Sequence, residues 1–157
     1  MFKKINNNRG FTLVELMLVI AVIGILATVL APRMGFVRDT AKETGLDSNA
    51  RVVEATVTSM LHKYSARDAL KTALDAKLEG NLTNPFSNST AAVNYDAGGN
   101  PAVVFYNGPY TDWNGTYSTY AGSIVCAINT ASSPFTVDVF YIDKDGLRVE
   151  ASRRIIN

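Results

Sequence analysis

Cysteine and histidine are almost missing from this chain of 157 residues: each occurs once, as Cys126 and His62. A lone cysteine cannot close an intramolecular disulfide. One residue of each type cannot build a Cys₂His₂ or Cys₄ zinc site. A Ser-His-Asp arrangement would have to recruit His62, and no serine stands in a nucleophile-elbow context. No glycine-rich phosphate-binding motif is present. Charge of one sign is lacking as well: 15 basic and 14 acidic residues leave a net charge of +1, so no field points to a nucleic acid or an acidic substrate. The chain is therefore not expected to be an enzyme. It calls for no cofactor and displays no specific nucleic-acid site. Cys126, inside the apolar run Ser123–Ile128, reads as a small buried hydrophobe. His62 falls on the polar side of a helix and reads as solvated.

What the chain does have is one long apolar run. From Phe11 to Ala31, about 21 residues carry a single charge, Glu15. That length spans a bilayer core as one helix. A carboxylate at that depth costs roughly 2.5 kcal/mol or more and by default marks function. Ahead of the run, residues 1–10 hold Lys3, Lys4 and Arg9 and no acid, so this end stays cytoplasmic by the positive-inside rule. A secretory signal peptide also pairs a basic start with an apolar core, but it ends in a small-residue cleavage site. Here Pro32 follows Ala31 directly, which makes a poor one. Cleavage before the run, at Gly10, would leave the apolar helix on the mature protein.

The stretch Arg9-Gly10-Phe11-Thr12-Leu13-Val14-Glu15-Leu16, with the apolar run it opens, resembles the N-terminus of type IV prepilins and of the pseudopilins of secretion and competence systems. The resemblance implies that a prepilin peptidase cuts between Gly10 and Phe11, that Phe11 is then N-methylated, and that Glu15 serves filament assembly. Gly24 and Pro32 sit where these helices commonly carry a flexible glycine and a proline. It further implies a leader over 1–10, a transmembrane and filament-core helix over 11–31, and a pilin head over 32–157. The implied partners are further copies of the chain, possible minor pilins, the peptidase, the inner-membrane assembly platform, and the membrane itself before assembly. The implied location is a single pass in the cytoplasmic membrane, then an extracellular pilus or a periplasmic or wall-spanning pseudopilus. Two structural roles follow: a type IV pilus subunit, or a pseudopilin of a type II secretion or DNA-uptake system. The missing C-terminal disulfide is more like a pseudopilin or a Gram-positive pilin. A membrane-anchored enzyme or binding domain is disfavoured by the absent catalytic set and by Glu15.

Beyond Pro32 the helical period resumes. Leu46, Ala50, Val53, Val57, Met60 or Leu61, and Tyr64 recur at spacings of three and four, with Asp47, Arg51, Glu54, Thr58 and His62 on the other side. This predicts an amphipathic helix with one face on a core. A helix from Phe11 to about Tyr64 would be roughly 80 Å long, with Pro32 and Gly35 marking a kink. Gly45 is too weak a breaker to end it. Ser65–Asp68 resembles a capping box for a second helix over about 66–79, which Glu79-Gly80-Asn81 stops. Residues 84–89 read as a loop.

The period then changes to two, predicting strands over 92–95, 102–106, 122–128, 135–142 and 147–152. Asp143-Lys144-Asp145-Gly146 reads as the hairpin turn joining the last two. Asp143 and Asp145 are weak calcium candidates, because glycine follows Asp145 where an EF-hand loop would continue. The Tyr- and Trp-rich loop 107–121 has two open readings, an exposed contact surface or a cover over the sheet. The expected fold class is α+β: a long N-terminal helix packed by its second half against a mainly antiparallel sheet, which matches the pilin fold.

Overall fold

The computed structural model describes residues 10–30, 33–113, 117–131 and 135–157. The chain divides into two compact units, Met1–Asp39 and Thr40–Asn157. Helix α1 (Leu13–Leu30) lies in the first, and helix α2 (Arg33–Leu61) starts in the first and ends in the second. Pro32, half of the expected kink, lies outside the described residues. The second unit continues with α3 (Arg67–Leu78) and strands β1 (Ala92–Asn94), β2 (Val103–Asn107), β3 (Ile124–Asn129), β4 (Thr136–Tyr141) and β5 (Arg154–Ile156). The strands form one sheet in the order β1-β2-β3-β4-β5. The class is α+β, as the sequence predicts.

The periodicities place the core. Leu46, Ala50, Val53 and Val57 of α2 are fully buried, as are Leu70 and Leu74 of α3, with Leu61 and Leu78 nearly so. They meet one face of the sheet at Val103, Phe105, Ile124, Cys126, Ile128, Val137 and Val139. Gly45 lies within α2 without ending it. Helix α3 ends as expected, with Gly80 at φ +75° just beyond it, a conformation that favours glycine. Its start differs. The N-cap is Ala66, with no side-chain cap, so the expected box at Ser65–Asp68 does not form. The helix begins one residue late, which puts Asp68 on the second helical position, where its carboxylate takes Arg67 at 2.8 Å.

The sheet is mixed. β3–β4 and β4–β5 are antiparallel, but β1–β2 and β2–β3 are parallel. A parallel neighbour needs the chain to travel back along the strand before pairing again. The polar segment 95–102 can do this because β1 is only three residues long. Between β2 and β3 the return is longer, and its tyrosines and tryptophan lie over the second face of the sheet. Tyr110, Trp113 and Tyr120 are buried there with Val104, Val125, Ala127, Phe140 and Ile142. The Trp113 ring lies between 4.7 and 5.8 Å from those of Tyr95, Tyr106, Tyr117, Tyr120 and Phe140. The described part of loop 107–121 thus covers the sheet with Tyr110, Trp113 and Tyr120, while Asn107, Thr111, Asp112, Ser118 and Thr119 stay exposed. With both faces covered, β3 reads as an unbroken apolar run, and Cys126 is a fully buried hydrophobe whose thiol is pushed up to about 12 by burial.

The last expected strand is displaced. After the turn, only Ile142 and Arg148 form a bridge, a 3₁₀ turn covers Glu150–Ser152, and pairing resumes at Arg154–Ile156. Arg148 is diverted toward the covering loop: Nη1 donates to the Tyr110 carbonyl at 3.1 Å and to that of Trp113. Arg148 and Arg153 each lie 4.1 Å from the Tyr110 ring centroid, while the Tyr110 hydroxyl donates to Glu150. Arg153 pairs with buried Asp138 at 2.7 Å. Arg154 reaches α2, with Nη2 at 2.7 Å from Asp47 and Nε at 2.9 Å from Glu54. These contacts tie the C-terminal segment down without a disulfide.

A second tie is Asn84, in the expected loop and almost fully buried. Its Nδ2 donates to the carbonyls of Asn100, Pro101 and Ala121 at 2.9–3.1 Å. Its Oδ1 accepts the Phe86 N–H at 2.8 Å and the Ser87 N–H at 3.2 Å.

Every described buried core residue lies at or after Leu46, so a fragment of residues 40–157 is expected to unfold cooperatively in urea. Asn84→Ala should destabilise it by about 3 kcal/mol, because several buried backbone groups lose partners at once. A non-cooperative transition would place the head boundary elsewhere. The Asp47 carboxyl is held below its ordinary value, first by the Arg154 hydrogen bond and then by that of Arg51. A depressed folded-state value makes this contribution full above the ordinary aspartate value and lost as pH falls from there through the lower folded value. The urea midpoint should therefore drop as pH is lowered below about 4, and drop less in Arg154→Gln. Equal drops would show that the Asp47 contact carries none of the pH dependence.

Candidate functional site

The candidate site is the segment Gly10–Thr12, which runs into α1. Among the described residues α1 is the one helix long and apolar enough to cross a membrane, and none of its residues is buried. Its interior hydroxyl is satisfied within the helix, since Thr28 Oγ1 donates to the Ile25 carbonyl at 2.7 Å. That side chain thus takes no unpaired donor into an apolar medium. Gly24 lies within α1 and Gly35 within α2, each with open space where a Cβ would stand.

The helix starts two residues later than expected, at Leu13, with Gly10, Phe11 and Thr12 non-helical and exposed. The reason is local. The Glu15 N–H donates to Thr12 Oγ1 at 3.3 Å. In return Glu15 Oε2 accepts the Thr12 N–H at 2.8 Å and the Thr12 hydroxyl at 2.7 Å. The Leu16 N–H then donates to the Thr12 carbonyl at 3.3 Å as the first helical bond. Thr12 is thus the N-cap and Glu15 the third helical residue of a capping box. Weighing Glu15 only as a misplaced charge overlooks this, although Thr12-Leu13-Val14-Glu15 carries the S/T-x-x-E spacing in plain view. It also supplies the bland account of Glu15: a carboxylate at a helix N-terminus satisfies orphan N–H groups and suits the helix dipole. Phe11 stands outside the helix, so it does not face Glu15 as a helical i, i+4 pair would.

Asp143 and Asp145 do not converge on an open cation site. Asp143 Oδ1 accepts the N–H groups of Asp145 and Leu147 at 2.9 and 2.8 Å, which shapes the turn, and Asp145 pairs with Lys144 at 3.1 Å. Among the described residues no three His, Cys, Asp or Glu side chains cluster. His62 is exposed just beyond α2.

An apolar N-terminal helix followed by an α+β unit is the architecture that fits the pilin fold. Residues 5–31 match the family described as "Prokaryotic N-terminal methylation motif". The chain is also similar to "Prepilin peptidase-dependent protein A" of Clostridium perfringens (strain 13 / Type A), with 35% identity over 71 residues, 45% of this chain and 48% of that protein. It thus spans about half the length of the curated relative it matches. No solved structure matches it. The N-terminal segment carries a prepilin-type methylation motif, and with the similar protein it supports a pilin-like or pseudopilin-like reading of the chain.

Proposed function

We propose that this chain is a structural subunit of a type IV pilus, cut between Gly10 and Phe11 by a prepilin peptidase, methylated on the Phe11 nitrogen, and polymerised through its N-terminal helix. The observation that carries this reading is the exposed Gly10–Phe11 junction one residue before a capped apolar helix, inside the matched methylation motif. Cleavage is hydrolysis: water adds to the Gly10 carbonyl carbon, the amide bond breaks, and Phe11 keeps the nitrogen as a new amine. Residues 1–10 leave as the leader, 11–31 stay in the cytoplasmic membrane until assembly, and 32–157 form the exported part. Pro32 and Gly35 supply a point of bending on the way into a filament. The alternative, a pseudopilin of a secretion or DNA-uptake system, draws on the single cysteine, Cys126, which leaves the C-terminal segment to polar ties. The two readings share the junction chemistry.

In assembly Glu15 meets the methylated, still cationic amine of a neighbouring subunit. An unpaired ion in an apolar filament core costs several kcal/mol, so only the stagger that pairs the two is stable. Oε2 is already held by Thr12, which leaves the other carboxylate oxygen for the amine.

Intact mass of the mature protein is expected to show a chain beginning at methylated Phe11. A chain beginning at Met1, or one cut after Ala31, would refute the processing reading. Glu15→Gln preserves the capping box but removes the charge. It should leave membrane abundance and cleavage intact while lowering sheared-filament yield roughly tenfold or more. A normal yield would reduce Glu15 to its capping role.

A further inference from the structure

We infer that Thr12 is a positioning residue for processing: by capping α1 at its own position it keeps the Gly10–Phe11 bond out of the helix, in backbone that a peptidase site can take. This rests on the processing reading above. With the box formed, the Thr12 and Glu15 N–H groups are both satisfied by side chains of the same turn, so the helix gains little by growing upstream. Without the Thr12 hydroxyl, the Glu15 N–H would turn to the Phe11 carbonyl and the Val14 N–H to the Gly10 carbonyl, the ordinary i to i−4 pattern. The Gly10 carbonyl is the group to which water must add. Engaged in a helical bond, with Phe11 wound into the first turn, it cannot be laid out for attack. Gly10 acts in the same direction, since glycine is among the poorest helix formers. The arrangement separates two demands that meet within three residues, non-helical backbone at the cleaved bond and helix from the next residue but one.

The test uses the full chain in membranes with a prepilin peptidase, following initial cleavage by intact mass. In parallel, carbon chemical shifts of Gly10 and Phe11 are read in the uncut chain in micelles. Thr12→Val keeps the branched shape but removes the cap, and should slow cleavage about fivefold while moving both shifts toward helical values. Thr12→Ser and Thr12→Asn are caps of comparable strength and should cleave near the wild-type rate with extended shifts. Wild-type cleavage of Thr12→Val would overturn the inference. So would Thr12→Asn as slow as Thr12→Val, which would mean that the peptidase reads threonine itself. Slow cleavage of Thr12→Val with extended shifts would also overturn it. A wild-type chain left uncut after Gly10 overturns the processing reading and this role with it. Unchanged shifts in uncut Thr12→Val overturn the capping argument alone.

Discussion

Eighteen residues of helix with nothing in the described structure to bury them set the terms for this protein. Leu13–Leu30 carries large apolar side chains around its circumference, and none is buried. Moving one such side chain out of water is worth about 1.5–3 kcal/mol, so a dozen of them make an aqueous existence for this helix untenable. Its composition suits lipid or the company of other apolar helices. Both environments demand that its backbone and polar groups be satisfied locally, and the helix meets that demand at Thr28 and in the Thr12–Glu15 box.

The second unit answers to the opposite requirement, an aqueous fold with its own core. Helices α2 and α3 cover one face of the sheet, and the return from β2 to β3 covers the other. The parallel pairing is decisive. Had β2 and β3 formed a hairpin, the aromatic segment would have been a loop at the sheet's end. Because they run the same way, the segment travels back over the sheet and becomes its second layer. Buried Asn84 stitches the 84–89 loop to residues 100–101 and 121. Arg148, Arg153 and Arg154 fasten the C-terminal segment to Tyr110, Asp138 and Asp47. Ion pairs that are partly exposed contribute little singly, but here they converge on backbone that no covalent bridge restrains.

Legibility followed the range of the forces involved. The core stripes of α2 and α3 were readable because helical period and burial are properties of neighbouring residues. The approximate strand positions were readable for the same reason, apart from the last. The α3 capping box failed because a one-residue shift at a helix start moves an acid from the third position to the second, and pattern alone does not resolve that shift. The Thr12–Glu15 box was within reach by the same rule, since its threonine and glutamate stand at the S/T-x-x-E spacing. The displaced last strand was out of reach, since Arg148 leaves the ladder for carbonyls of the loop more than thirty residues upstream.

Readable without the fold are the apolar span, the basic N-terminal segment, the Gly10–Phe11 dipeptide with Glu15 beyond it, and the α+β succession of elements. Each is encoded in composition or spacing within a few turns of chain. It took the folded chain to set the direction of strand pairing, the burial of Tyr110, Trp113 and Tyr120 and the partners of the C-terminal arginines. These depend on which distant segments meet, and local periodicity is the same for a parallel strand as for an antiparallel one.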